Sequence, residues 1–377
     1  MTSAAESLDA WAARWGEVSD VGKLVFVGMS GGVDSSVSAY LMKEAGYDCI
    51  GANMRLFDNE DAGISRDKTC CSLDDAEDAR SVARKLSMPF YVFNMKDNFK
   101  RDVIDRFTSE YERAHTPNPC IDCNRHLKFG SLLRRAAELS CDVTVTGHYA
   151  RITMENGQFT LKKSLDSSKD QSYVLYSIRR SDLSLIRFPL GELTKQEVRE
   201  IAERQGFINS KKKDSQDICF VPDGDHAAAI TRFTGKTYPE GNFVDMEGRV
   251  LGTHRGVTRY TVGQRRGLGL ALPESLYVHH IDIEKNEVYL SRNKELFSKN
   301  LKARDVNWLV WEKNEVPEEF EVSAKIRYHA PETRATARVL SDDEIQVYFH
   351  EPVRAITPGQ AVVLYDGDTV LGGGTIE

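Results

Sequence analysis

Two groups of residues in this chain are suited to chemistry. The first is GMSGGVDSS, residues 28–36. It offers the backbone N–H groups of Ser30 to Asp34, two hydroxyls and the start of a helix, an arrangement that cradles phosphate. The lysine that a Walker A loop extends to the β- and γ-phosphates is missing. A loop of this kind suits a pyrophosphate that leaves as a unit. The chemistry implied is transfer of AMP to an oxygen, with Asp34 suited to holding Mg2+ on the phosphates. The second group is cysteine. TPNPCIDCN, residues 116–124, carries Cys120 and Cys123 as a CxxC, and DSQDICF, residues 214–220, carries Cys219. Thiolates in such places are suited to nucleophilic attack and to thiol–disulfide exchange.

The elements that must position these groups alternate between strand and helix. Residues 24–27 read as a strand and 35–45 as its crossover helix. Residues 48–56 read as the next strand. Ser72 has the look of a helix N-cap with Asp75 three residues on. The helix it opens carries Ala76, Ala79, Val82, Ala83 and Leu86 at helical spacing, and Pro89 marks its exit. Residues 90–93 form a short strand. Phe99, Val103, Ile104, Phe107 and Tyr111 make the apolar stripe of a long helix, Leu132, Leu133 and Ala136 mark another, and 143–146 is a strand. Repeated βα units imply an α/β doubly wound parallel sheet, with ligands at the carboxyl ends of its strands. The loop at Gly28, the segment after Met54, and Gly147 with His148 all fall at that edge.

Beyond about residue 215 glycines and turn pairs become dense, which suggests a small mixed central domain. From about residue 298 the pattern is all-β: 321–328, 333–340, 344–349, 361–365 and 370–375 read as strands of a small β-barrel. The expected division is an N-terminal extension over 1–21, a catalytic domain over 22–214, a central domain over 215–297 and a barrel over 298–377.

The 377 residues suffice for two or three cored domains, and 41% hydrophobic with 28% charged residues is ordinary for a globular protein. No apolar run reaches the roughly 18–20 residues of a membrane span. The N-terminus lacks a basic and an apolar signal region, so the expected address is cytoplasmic. The net charge of −7 is the wrong sign for a wholly basic nucleic-acid binder. Yet Arg249, Arg255, Arg259, Arg265 and Arg266 lie in a stretch, 249–272, that holds no acid, and Lys325, Arg327, Arg334 and Arg338 share theirs with Glu332 alone. Such tracts are either a solvated face or the means by which an acidic protein binds RNA. The odd count of seven cysteines argues against a disulfide framework. Cys49 and Cys141 read as core residues, Cys70-Cys71 as a packing pair at a helix entry. Lys211 to Lys213 form either a solvated turn or a phosphate contact.

SGGVDS in the first strand-to-helix turn resembles the PP-loop of ATP pyrophosphatases, a group that includes GMP synthetase, argininosuccinate synthetase, asparagine synthetase and tRNA thiolases. The CxxC segment, KFG at 128–130, TGHYAR at 146–151, KDQSY at 169–173, DSQDICF and VGQRRGLG at 262–269 narrow the match. Together they resemble the tRNA-specific 2-thiouridylase (MnmA) family, from about residue 23 to the C-terminus. The resemblance implies 2-thiolation of the wobble uridine of tRNAs for Lys, Glu and Gln. A uracil C2 carbonyl is a poor electrophile, and adenylating its oxygen makes AMP a leaving group.

By family position, Cys219 corresponds to the persulfide carrier and Cys123 to the partner nucleophile that frees the sulfur, leaving a Cys123–Cys219 disulfide. The implied ATP contacts are Gly28, Met29, Ser30, Gly31, Gly32, Val33, Asp34, Ser35, Met54 and Gly147. The implied tRNA contacts are Asn118, Pro119 and Cys120 near the target base, with His148, Lys169, Asp170, Gln171, Arg327, Tyr328 and Gln360. The implied partners are tRNA and a persulfide donor, either a cysteine desulfurase or a relay protein, with no membrane.

One departure stands out. Many family members carry Asp where this chain has Cys120, which leaves the general acid open, with Asp122 a candidate. Cys120, Cys123 and Cys219 also make three thiolates, a set suited to a sulfur-activating iron–sulfur cluster. Zinc lacks an evident fourth ligand. Two rival readings from other classes are a thiol-independent PP-loop ligase and a non-catalytic tRNA-binding protein.

Overall fold

The apolar runs early in the chain form a parallel sheet. The structure, a computed structural model, describes residues 23–58, 73–212, 218–221, 223–271 and 273–377. The expected N-terminal extension, Cys70-Cys71, the Ser72 cap, Lys213 and 214–217 of the Cys219 motif lie outside them. The chain divides into two units. One takes the described residues within Met1–Asp102, Cys120–Pro222 and Asp368–Val370. The other takes Val103–Pro119, Asp223–Gly367 and Leu371–Glu377.

In the first unit the strands are β1 (Leu24–Gly28), β2 (Asp48–Arg55), β3 (Phe90–Asn94), β4 (Val143–Val145), the hairpin β5 (Ala150–Glu155) and β6 (Gln158–Lys163), and the short β7 (Ile186–Arg187). The sheet runs β3-β2-β1-β4-β7, and its pairings are parallel. Val25, Phe26 and Val27 have no exposed surface, as a strand covered on both faces requires. Helix Val33–Glu44 lays Val37, Leu41 and Met42 on this core, and helix Lys195–Arg204 adds Val198, Ile201 and Ala202. Burial of each of these Val, Leu, Ile and Met side chains stabilises the fold by roughly 1.5–3 kcal/mol. The strand order reverses between β1 and β4, so a crevice opens at their carboxyl ends.

The expected long helix is three segments: Lys96–Phe99, a π-helical Lys100–Ile104, and Asp105–Glu112. Its apolar stripe is buried as expected at Phe99, Val103, Ile104, Phe107 and Tyr111. The division between the units falls inside the π-helical segment.

In the second unit a four-stranded sheet comprises β8 (Gly241–Val244), β9 (Val250–His254), β10 (Tyr277–Asp282) and β11 (Glu287–Ser291) in the order β10-β11-β8-β9. Six strands then close a barrel: β12 (Phe297–Trp308), β13 (Glu319–Lys325), β14 (Thr333–Ser341), β15 (Glu344–Arg354), β16 (Ala361–Asp366) and β17 (Thr369–Ile376). Their order is β12-β15-β14-β13-β16-β17, and β12 pairs with β17 to complete the ring. The core alternates along each strand, with Val322 and Ala324 facing in from β13 and Ala335 and Ala337 from β14. The five strands expected from sequence are present, and β12 is the sixth.

Candidate active site

The loop after β1 is held open by its neighbours. Met29 N donates to Ala52 O at 2.7 Å, and Asn53 Nδ2 donates to Met29 O at 2.8 Å, so β2 fixes the start of the turn. Gly31 adopts φ +85°, and a Cβ there would lie 2.2 Å from Asp75 O. Ser30 N donates to Ser35 Oγ at 3.2 Å, and Ser36 Oγ donates to Gly32 O at 3.0 Å. No side chain caps helix Val33–Glu44 at Gly32, so its first turn presents backbone N–H groups at the loop. Gly147, after β4, packs so closely that a Cβ would sit 2.8 Å from Ser35 N. Met54 is half-buried at the carboxyl end of β2.

Asp34 is already engaged. Lys195 Nζ lies 2.7 and 2.9 Å from its two carboxylate oxygens, and Tyr149 Oη donates to Oδ1 at 2.9 Å. Neither partner was assigned a role from the sequence. Lys195 occupies the first turn of helix Lys195–Arg204, where the helix macrodipole disfavours a cation. That misplaced charge was the available signal. Asn209 Nδ2 donates to Gly31 O and to Ser36 Oγ, each at 2.9 Å. Lys212 Nζ reaches Gly31 O at 3.4 Å, Asp78 at 2.9 Å, and Asp75. Burial opposes the charge on Lys212, but the two carboxylates push its pKa up overall. Lys212 is therefore bound to carboxylates beneath the loop rather than lying in a solvated turn.

Among the described residues no group of three His, Cys, Asp or Glu is placed to hold a metal ion. With its carboxylate bound to Lys195 and Tyr149, Asp34 does not fit a resident Mg2+ site. Cys120, Cys123 and Cys219 do not form one metal-holding group either.

The cysteines lie in the same unit as the loop. Cys120 is exposed, in the single turn Pro119–Asp122, while Cys123 is half-buried and opens a π-helical stretch, Cys123–Ser131. Such stretches are rare and cluster at functional sites. Asn124 anchors it by donating to Val174 O at 2.9 Å, and its buried Oδ1 has no hydrogen-bond partner. Asp122 is buried. Cys219 is half-buried beside Phe220, whose ring packs edge-on against Phe99 at 5.6 Å. Cys49 is buried as expected, and burial pushes its thiol up to about 12.

The expected tRNA contacts divide between the units. In the first, His148 is buried between Phe129 and Phe188, with Nδ1 2.7 Å from Thr146 Oγ1 and Nε2 3.2 Å from Lys128 Nζ. Burial, and then the Lys128 ammonium, hold its pKa well below the ordinary value, so the ring is neutral. Lys169, Asp170 and Gln171 are half-buried. Asp170 accepts from Ser164 N and Ser172 Oγ. Gln171 Oε1 accepts from Tyr149 N at 2.9 Å, and Gln171 N donates to Tyr149 O at 2.9 Å.

In the second unit, Gln360 Nε2 donates to Thr116 O at 2.7 Å, close in sequence to Asn118 and Pro119. Arg327 Nη2 donates to Arg354 O at 2.7 Å, and the Tyr328 ring stacks edge-on with His329. Of the arginines in 249–272, Arg249 pairs with Asp245 and Glu247, and Arg259 lies 3.7 Å from Asp225. Arg255, Arg265 and Arg266 are exposed. The stretch lacks acids in sequence, but folding supplies them to part of it.

Three family profiles match the chain. One described as tRNA methyl transferase HUP domain covers residues 23–223. One described as tRNA methyl transferase PRC-barrel domain covers 229–292, and one described as aminomethyltransferase beta-barrel domain covers 298–376. Among curated relatives, the tRNA-specific 2-thiouridylase MnmA of Lachnoclostridium phytofermentans is 50% identical, covering 94% of this chain and 99% of its own. The protein of the same name from Carboxydothermus hydrogenoformans is 48% identical, covering 94% and 98%. That from Clostridium acetobutylicum is 47% identical, covering 94% and 99%.

Proposed function

The chain belongs to the family of tRNA-specific 2-thiouridylases, and from that premise we propose that it uses ATP to replace the C2 oxygen of the wobble uridine of tRNAs for Lys, Glu and Gln with sulfur. It is a tRNA-uridine 2-sulfurtransferase. The observation that carries the reading is that the phosphate loop, Cys120, Cys123 and Cys219 all belong to one unit. Adenylation and sulfur delivery then share a scaffold.

ATP lies along residues 28–35 with Met54 and Gly147, at the carboxyl edge of the sheet. Any Mg2+ would be carried by the phosphates of the nucleotide substrate and would offset their charge there, while Asp34 is held by Lys195 and Tyr149. The uridine O2 takes the adenylyl group and pyrophosphate departs. The terminal sulfur of a Cys219 persulfide bonds to C2, the Cys123 thiolate attacks Cys219 Sγ, and AMP leaves with the former O2. A Cys123–Cys219 disulfide remains, which a thiol reductant resets. A cysteine desulfurase or relay protein reloads Cys219.

Asn118, Pro119 and Cys120 lie near the target base. Lys169, Asp170, Gln171, Arg327, Tyr328 and Gln360 contact the tRNA, and His148 serves it by holding Lys128. The proposal includes a division into domains over 22–214, 215–297 and 298–377, and a cytoplasmic location. No helix among the described residues is long and apolar enough to cross a membrane.

Mass spectrometry of tRNA nucleosides from a strain lacking the gene tests this. The expected result is loss of 2-thiouridine, restored by the wild-type chain and not by Cys219→Ala. Unchanged 2-thiouridine overturns the reading. Rescue by Cys219→Ala points instead to a non-catalytic tRNA-binding protein.

A further inference from the structure

We propose that Lys195 is the lysine of the phosphate loop, supplied through space rather than from the loop sequence, and that its ammonium binds the departing pyrophosphate. The inference rests on the ATP-dependent reading above. Lys195 is 161 positions from Asp34, yet its Nζ lies within 2.9 Å of both carboxylate oxygens. Asp34 stands in the first turn of the helix that the loop opens.

The backbone beneath Lys195 is fixed from several sides. Thr194 and Glu197 form a reciprocal capping box, and Lys195 N donates to Asp166 Oδ2 at 3.0 Å. The side chain runs beside the Tyr149 ring, with Nζ 5.7 Å from its centroid. A cation at this helix position works against the macrodipole and so calls for a compensating anion. Asp34 is that anion in this structure. Its side chain is 32% exposed against 11% for Lys195, so an incoming phosphate reaches the pair from the Asp34 side. Triphosphate oxygens then compete with Asp34 for the ammonium.

In the adenylation step the uridine O2 lone pair bonds to the α-phosphorus. The bond from that phosphorus to its bridging oxygen breaks, and the electron pair leaves with pyrophosphate. The uridine N3 proton passes to water. Negative charge grows on the pyrophosphate as it departs, and a fixed, desolvated ammonium stabilises that change more than the ground state. Lys195 holds charge and transfers no proton.

The test is calorimetric titration of the full chain with ATP, AMP and pyrophosphate, for wild type, Lys195→Met and Lys195→Arg. The expected result is that Lys195→Met weakens ATP and pyrophosphate about tenfold or more, while AMP changes by about twofold or less. Lys195→Arg keeps most of the ATP affinity. If Lys195→Met does not fold, Lys195→Gln, which retains a donor to Asp34 without the charge, carries the same expectation. Equal weakening of ATP and AMP, or an unchanged ATP affinity, overturns the proposal. Wild type that binds no ATP contradicts the underlying ATP reading, a different result from a variant that binds as well as wild type.

Discussion

The Tyr149 hydroxyl donates to Asp34 Oδ1 at 2.9 Å, across 115 positions of sequence. The Tyr149 backbone is paired at both N–H and C=O with Gln171. The segment proposed to meet tRNA is thus tied to the loop proposed to hold ATP. Tyr149→Phe removes one hydrogen bond, a loss of about 1 kcal/mol. The expected outcome is a rise of roughly fivefold in KM for ATP with tRNA affinity unchanged, read by steady-state kinetics and filter binding. An unaltered KM contradicts a role for this contact in shaping the loop.

Neighbouring glycines of the loop should respond differently. Gly31 has φ +85°, and its Cβ would collide with Asp75 O at 2.2 Å. Gly32 has φ −85°, and its Cβ would meet only Ser30 Oγ at 3.5 Å. Gly31→Ala is expected to lose ATP binding and about 1–3 kcal/mol of stability. Gly32→Ala is expected to fold with near-normal stability. Denaturant midpoints and ATP titration check both, and similar stability losses at the two positions contradict this loop geometry.

His148 makes stability depend on pH. Its folded pKa lies well below the ordinary histidine range because it is buried, with Lys128 adding to the effect. In the unfolded chain the ring titrates near 6.5. As pH falls through that value the unfolded state binds a proton that the folded state refuses, so stability drops, by up to about 1.4 kcal/mol per pH unit. Well above it the term vanishes. His148→Asn is expected to cost stability at pH 7.5 and to lose part of that disadvantage at pH 5.5. Parallel stability curves for the two proteins contradict a neutral buried ring.

The basic tract should contribute unevenly to RNA affinity. Arg249, Arg265 and Arg266 are all exposed, but Arg249 is paired with Asp245 and Glu247. Each phosphate contact adds a slope of about −0.7 to −0.9 to the log–log salt dependence. Arg265→Ala and Arg266→Ala are expected to reduce the slope by about one contact each, and Arg249→Ala to leave it nearly unchanged. Salt-independent binding contradicts the electrostatic reading of this tract.

Strands β1 to β4 of the parallel sheet were legible as apolar-rich segments, and the phosphate loop because SGGVDS follows the first of them, whereas the two-residue β7 (Ile186–Arg187) is too short to carry a pattern. Strand β12 was not legible, because FSKNLKARDVNW has charges on the face that alternation would leave apolar, and only pairing with β15 and β17 makes it a strand. The hairpin β5–β6 and helix Lys195–Arg204 also escaped the reading. The helix is only ten residues long, and three of them, Val198, Ile201 and Ala202, are buried apolar residues. Lys195 as a partner of Asp34 was beyond local pattern, since a contact across 161 positions has no periodicity. The neutral state of His148 likewise depends on Phe129 and Phe188, which only folding brings to it.

Cys123 and Cys219 are proposed to carry ATP-dependent sulfur transfer. The direct measurement is mass-spectrometric quantitation of 2-thiouridine formed on unmodified tRNA by iron-free enzyme, given ATP and a persulfide donor. Wild type and Cys120→Ala are expected to form 2-thiouridine, with none formed without ATP and none by Cys123→Ala or Cys219→Ala. Absence of product until iron and sulfide are restored, with Cys120→Ala as inactive as Cys123→Ala, would contradict that proposal.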